Sequence, residues 1–340
     1  MSAPLTSALA TPLAIDLAEF VDPSFLIGTV GSFAGIYVIF TLGLQLNVGY
    51  SGIVNFGQAG FMAVGAYSMA ILTVDTGLSF WLAMPMAVLI AMGFGLLVGL
   101  PSVRLRADYL AIATIAAAEI IRLVARNADA ITGGNQGFDC AEDDPTNCFF
   151  NTFGDTVEEP IETFTESIFG TDIDTLFPLF LVVWAVALIL TALMYFAQRS
   201  PWGRVLRAIR EDEDAARSLG KNTYAYKLQS LSIAAGLAAI AGFFLALNLR
   251  AVNPLDFEPL FTFIGFAVLF LGGLANYWGV AFGAIIMWVL IEGTRNIGLG
   301  LSSDQEAAMR FIVVGIVLIL LMAFRPQGIF GKKQEMVLGE

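Results

Sequence analysis

The sequence predicts an all-α polytopic membrane protein with about nine transmembrane helices. Three observations carry this. Of 340 residues, 57% are hydrophobic and 14% charged, against an apolar share of roughly 45–50% in soluble domains. Mean hydropathy is +0.78. Apolar runs also recur along the chain at close to the roughly 20 residues that cross a bilayer, without the charged faces that soluble amphipathic helices carry.

In chain order, residues 1–24 lack a basic n-region and carry Asp16, Glu19 and Asp22. They match neither a signal nor a transit peptide and are expected to stay attached as an external segment. A first transmembrane half, 25–126, holds runs at about 25–44, 56–74, 80–100 and 108–125. An acidic loop, 127–175, follows. A second half, 176–325, holds runs at about 176–197, 229–248, 260–275, 279–294 and 310–324, interrupted by a polar loop at 198–228. A tail, 326–340, closes the chain.

Orientation follows from the basic residues, because Lys and Arg near span ends favour the cytoplasmic side. None precedes Arg104. The same side collects Arg104 and Arg106, then Arg199, Arg204, Arg207, Arg210, Arg217, Lys221 and Lys227, then Arg325, Lys332 and Lys333. Residues 127–175 contain twelve carboxylates and no Lys or Arg. A multi-pass plasma-membrane protein with its N-terminus outside and its C-terminus in the cytoplasm is expected.

The net charge of −12 is concentrated in that outer loop. It reads as a cation site or docking face, or as a surface kept hydrated in a salty medium; the second is favoured and points to a halophilic archaeal source. Cys140 and Cys148 lie in the same loop, where an oxidising exterior allows a disulfide; spacing alone leaves bridged and free states both open. With no His in the chain, His-based metal sites and His general bases are excluded, and two thiols are too few for a zinc site. No phosphate-binding GxxxxGK[ST] loop, GxSxG or HExxH is present. No catalytic residue or metal site is expected, and no cofactor on this chain.

The stretch "LNVGYSGIVNFGQAGFMAVGAY" (46–67) carries five glycines and two asparagines. Backbone freed from helical bonding is tolerated at membrane depth only where protein or a water-filled cavity satisfies it. Residues 46–61 are therefore expected to form a broken or re-entrant segment on a translocation path with Asn47, Asn55, Gly57 and Gln58; tight packing by a seam of small residues is the competing reading. Glu119 and Arg122, at i, i+3 near an outer helix end, form either a structural pair or contacts for the charged ends of an amino acid. Glu292 and Arg295 repeat the arrangement. A related polar turn at "LGGLANYWGVAFGA" hints at an internal repeat.

In the inner loop, Asp212 can cap a short helix, Glu213 and Asp214 suit its positive end, and Gly220 suits a left-handed stop. The stub "DEDAARSLG" would present small alanines flanked by Arg207, Arg210, Arg217 and Lys221, either to a partner's groove or as an ordinary positive-inside loop.

Here the residues carry a resemblance. Asp214, Ala215, Ala216 and Gly220 are similar to the EAAxxxG coupling loop of ABC importer permeases, with Asp in place of Glu. The wider string "SPWGRVLRAIREDEDAARSLG", with "RLRADYLAIATIAAAEIIR", "TGGNQGF", "LGGLANYWGVAFGA" and "RPQGIFG", resembles branched-chain amino-acid permeases of the LivM type, in family order from about residue 35 to 331. Where that family often has His in "GHAAF", this chain has Gln58, so no role requiring a protonatable ring carries over. The resemblance implies a subunit without its own ATPase, with 212–220 pushed by two cytoplasmic ATPases that use ATP and Arg207 and Arg210 meeting acidic groups around their grooves. It further implies a second related permease chain, an external substrate-binding protein and no nucleic acid. Urea and short-chain amide permeases look similar. An ion-coupled secondary transporter, or a scaffold without transport, is the reading from another class.

Overall fold

In the computed structural model, which describes residues 30–139, 152–169, 177–293, 303–324 and 328–331, every predicted apolar run is helical over most of its described residues, with non-helical residues at 56–57 and 273–275. Helix α1, Ser32–Leu44, continues through a π-helical turn, Gln45–Ser51. After a non-helical stretch come α2, Gln58–Val74, α3, Phe80–Ser102, and α4, Ala107–Asn127. The outer loop contributes a short α5, Asp129–Thr132, a π-turn, Gly154–Glu158, and α6, Glu159–Phe169. The second half holds α7, Phe177–Arg199, α8, Pro201–Glu211, α9, Glu213–Ser218, and α10, Thr223–Leu249. It ends in α11, Pro259–Gly272, α12, Tyr277–Gly293, and α13, Ser303–Phe324. Residues 1–24, Cys140, Cys148 and Arg295 lie outside the described residues.

The apolar runs are not all full-length crossings. Among the described residues, four segments are long and apolar enough to span: Ser32–Ser51, Phe80–Ser102, Phe177–Arg199 and Thr223–Leu249. Helices α11 and α12, expected as two spans, are 14 and 17 residues long and meet at a bend of 118°. The bend occurs where Gly273 (φ 95°) and Ala275 (φ 58°) leave the right-handed region. Helix α2 is also only 17 residues long, because the chain before it climbs in non-helical form. Asp108, Glu119, Arg122 and Arg126 make α4 the most charged of the long helices.

Helix α10 is the hub, apolar on all sides and buried along most of its length against α1, α2 and α3. Small residues let it be enclosed closely by its neighbours. On α3 the buried residues Ala83, Ala87, Ala91, Gly95 and Gly99 recur every four positions, so they share one face. A Cβ at Gly95 would lie 2.8 Å from Ala235 Cβ. Helix α2 meets α10 still more tightly, with Gly65 against Ala239 and Gly242 against the Met62 carbonyl. The opposite faces of α3 and α7 carry exposed Leu89, Leu97, Leu188 and Leu193, as lipid-facing surface requires.

Outside the bundle, the "TGGNQGF" turn places Gly133, Gly134 and Gly137 at positive φ and leads into a two-residue strand, β1 (Phe138–Asp139), antiparallel to β2 (Ala251–Val252). Glu158, buried at the end of its π-turn, is pushed up to about 7 by burial, with Arg250 opposing and Glu162 adding to the shift.

The α2–α10 seam yields a stability test. A Cβ at Gly65 would sit 2.3 Å from Ala239 Cα, whereas at Gly93 it would meet nothing within 4 Å. Gly65→Val should therefore destabilise by about 1–3 kcal/mol through overpacking, lowering the thermal midpoint in detergent, while Gly93→Ala should leave it unchanged or raise it.

Candidate translocation and coupling site

Residues 52–57 run without helical hydrogen bonds between the π-turn and α2, beside the level of Gly43, Thr114, Ala234 and Thr262 in the interior. Most of their N–H groups find acceptors locally. Ile53 N–H donates to the Asn47 carbonyl at 2.9 Å. Phe56 N–H donates to Thr114 Oγ1 at 3.1 Å and Gly57 N–H to Asn55 Oδ1 at 2.9 Å. Ala59 N–H, in the first turn of α2, donates to Thr262 Oγ1 of α11 at 3.1 Å. Orphan N–H groups at a helix start need such acceptors, and here other helices supply them.

Of the expected path residues, Asn47, Asn55, Gly57 and Gln58 cluster and are buried, whereas Glu119 and Arg122 lie apart. Asn55 Nδ2 donates to Gln58 Oε1 at 2.9 Å, and Gln58 Nε2 donates to the Ala234 carbonyl at 3.0 Å. Gln58 fits because position 43 is glycine: a Cβ there would come within 2.2 Å of Gln58 Nε2. Asn47 Oδ1 accepts from Ser230 Oγ at 3.0 Å, and Ser51 Oγ donates to the Asn47 carbonyl at 2.7 Å. In this conformation the group joins α1, α2, α4, α10 and α11 to one another, and Asn47, Asn55 and Gln58 are closed off from the surface. Gly57 lies against the Thr114 carbonyl and Gly60 against Ala118, so the small residues also form a contact seam with α4.

Glu119 and Arg122 lie farther along α4. Arg122 donates through Nε to Glu119 Oε2 at 2.9 Å and through Nη2 to Oε1 at 2.6 Å, with Glu258 at 4.0 Å on the other side. Two carboxylates thus flank one guanidinium, which holds α4 to the start of α11.

At the opposite end, the π-turn is held from two sides. The Arg210 guanidinium of α8 donates to the Gly49 carbonyl, and Gly52, at φ 70°, lies 3.4 Å from the Arg210 side chain where a Cβ would begin. Tyr50 stacks on Tyr277 with ring centroids 5.2 Å apart, reaches Gln198 Oε1 and donates to the Ala275 carbonyl at 2.8 Å. The Gln45 amide oxygen, in the orientation that satisfies its neighbours, accepts from Ala275 and Asn276 N–H at 2.6 Å. Arg207 lies 5.7 Å over the Tyr50 ring and donates to the Gln198 carbonyl at 2.8 Å. Arg207 and Arg210 thus engage this chain's own π-turn and the residues beside it, with Gly203, Leu206 and Ile209 of α8 buried against the bundle.

The stub forms as the capping signals require. Asp212 Oδ1 accepts from Ala215 N–H at 2.9 Å, and Gly220 adopts φ 77°. Only one of the paired alanines is presented: Ala215 is exposed, but Ala216 is 3% exposed and packs inward. The outward surface includes Asp214, Ala215, Arg217, Ser218 and Leu219, the last 80% exposed. Glu213 anchors the stub to α10 through Lys227 at 2.5 Å and Thr223 Oγ1 at 3.0 Å, and also pairs with Arg217 at 3.1 Å. Burial alone would push the Glu213 carboxyl up, but Lys227, Thr223 and Arg217 outweigh it and hold it below the ordinary range. A depressed carboxyl stabilises above its unfolded value, so the anchor weakens only as pH falls through the lowered one.

Thr114, Thr262, Ser230, Gln45 and Tyr50 complete the site and were not singled out from sequence. Their signal was isolated polar residues inside apolar runs, as in "AIATIAAA" and "PLFTFIGF".

A family model described as "Branched-chain amino acid transport system / permease component" matches residues 26–322. The chain is 36% identical over 298 residues to the high-affinity branched-chain amino acid transport system permease protein LivM of Escherichia coli K12, covering 86% of this chain and 67% of that protein. It is 26% identical over 341 residues to a probable branched-chain amino acid transport permease protein LivM of Methanocaldococcus jannaschii, covering 88% and 91%. To LivH of Escherichia coli K12 it is 26% identical over 317 residues, covering 88% and 92%. No solved structure matches.

Thr262→Val removes the acceptor for Ala59 N–H while keeping side-chain volume, so it should cost about 1–3 kcal/mol, the penalty for an unsatisfied buried donor. Thr262→Ser should retain most of the stability; equal thermal midpoints for Val and Ser would contradict the assignment.

Proposed function

We propose a function for a chain that belongs to the family of branched-chain amino acid transport permeases. It is the transmembrane permease subunit of an ATP-binding-cassette importer, moving leucine, isoleucine and valine inward without chemistry on the substrate. Two separate cytoplasmic ATPases use the ATP. A second, related permease chain completes the membrane core, and an external binding protein delivers substrate. The N-terminus is outside and the C-terminus cytoplasmic, the arrangement that puts α8, α9 and the basic inner segments on the ATPase side.

The mechanism is alternating access between two arrangements of the bundle. ATPase closure moves α9, whose exposed face includes Asp214, Ala215 and Leu219. Helix α8 moves with it, and Arg210 carries the displacement to the Gly49 carbonyl. The π-turn then shifts, taking Asn47 with it, and the polar break at Asn55, Gly57 and Gln58 parts from α10 and α11 to line the path. The single observation supporting this reading is the Arg210–Gly49 hydrogen bond, which joins the segment beside the stub to the turn that enters the buried polar cluster.

Arg210→Gln should separate the two ends. In proteoliposomes holding the whole complex, ATP hydrolysis should persist while leucine uptake falls about tenfold or more, as expected for loss of a charge-assisted hydrogen bond. Uptake that needs no ATP, or transport of urea or short amides in preference to leucine, would overturn the reading.

The path has its own test. Single cysteines at positions 47, 55 and 58, in a background with Cys140 and Cys148 replaced by Ser, should react with a water-soluble thiol reagent in one nucleotide state of the complex and not in another. No labelling in any state would remove these residues from the path and leave them as packing.

A further inference from the structure

The foot of the bundle holds a second cluster that the transport mechanism does not use. Where α3 ends, the connection 103–106 turns beneath it, and Arg104, Arg106, Arg217 and Lys227 line a cavity of about 480 Å³ with Val103, Leu105, Tyr224 and one carboxylate, Glu213. That carboxylate is already shared between Lys227 and Arg217. Among the described residues, no carboxylate lies within ion-pair distance of Arg104 or Arg106. Arg217 also pairs with Asp214 at 3.4 Å; four cations against two committed carboxylates leave a net positive cavity, and an anion there relieves the repulsion between Arg104 and Arg106 and their neighbours.

The position specifies what kind of anion. Arg104 lies 5.2 Å over the Tyr224 ring, and the Tyr224 hydroxyl donates to the Leu100 carbonyl at 2.9 Å, fixing the guanidinium at the end of an apolar span. Directly above, Leu97 and Leu100 of α3 are 65% and 51% exposed, and Leu105 and Tyr109 continue the apolar surface. A basic cavity at the edge of the hydrocarbon layer, beneath an open apolar helix face, matches a molecule with a phosphate joined to acyl chains.

We infer that this cavity binds the phosphate of an anionic phospholipid, with Arg104, Arg106, Arg217 and Lys227 as headgroup ligands and the acyl chains against Leu97 and Leu100. Because Arg217 and Lys227 also hold Glu213, the lipid shares its ligands with the anchor of α9, and its occupancy bears on how firmly the stub is held. The inference rests on the membrane-spanning reading above, but not on which side of the membrane this end faces.

The test uses the assembled complex in nanodiscs of phosphatidylcholine with or without phosphatidylglycerol, and native mass spectrometry of the lipid retained after release. The unaltered complex should retain phosphatidylglycerol in preference to phosphatidylcholine. Arg104→Gln with Arg106→Gln should lower that retention about 25-fold, from about fivefold for each arginine removed near an anionic lipid. The matching double Lys variant, which keeps the charge, should restore most of it. Equal retention in the Gln pair, equal retention of the two lipids, or Lys and Gln pairs that fail alike would overturn the lipid site. Displacement by millimolar inorganic phosphate would also overturn it, in favour of a soluble anion. A chain that enters neither kind of disc would instead overturn the membrane reading on which the inference stands.

Discussion

Everything in this bundle depends on satisfying one stretch of backbone that is not helical and runs largely through the interior. Each N–H or C=O left unpaired in an apolar interior costs several kcal/mol. Residues 52–57 meet that requirement with acceptors from three elements: Asn47 before the break, Thr114 on α4 and Asn55 within it, with Thr262 of α11 serving the first turn of α2 beyond. The break therefore cannot form before α4 and α11 are in place, and α2 cannot start where it does without the break. Polar residues in this interior hold the helices in register more than they soften it.

Close approach is the second condition. The short hydroxyl of Thr114 reaches Phe56 only because Gly57 lets the two backbones nearly touch. Gln58 reaches Ala234 only because Gly43 leaves room. Where hydrophobic area provides little net drive between helices, such packing and hydrogen bonding must supply the association. The dense glycine and alanine content and the few buried polar groups are thus one design, each useless without the other.

The sequence was most legible where a signal is local. Apolar runs mark helices because chain composition and membrane thickness decide them together, and Asp212 and Gly220 mark the ends of the stub because caps are set within a few residues. The break at 52–57 was legible from its glycines. What could not be read was tertiary. Nothing in the string "LFTFIG" says that Thr262 will accept from residue 59, and nothing near Arg210 says that it will turn inward to Gly49. Ala216 was expected outward because its pattern is small, and it is buried because the short helix lies against α10 and shows only one side. The two runs at 260–275 and 279–294 were expected as separate crossings because hydropathy does not register a left-handed Ala275.

The π-turn Gln45–Ser51 has two attachments of different character. One is the Arg210 bond to Gly49; the other is the Tyr50 and Gln45 contact with the bend at Ala275 and Asn276. A turn held this way has reciprocal thermodynamics: any free energy with which a ligand on α9 favours one geometry of the turn is the free energy with which that geometry favours the ligand. On the proposed mechanism, cargo that selects a geometry among α1, α10 and α11 would change the grip of the stub's partner by the same factor. A permease working this way would report its load across the membrane as readily as it responds to a push, and a partner that lets go at the wrong moment would work against the load it carries.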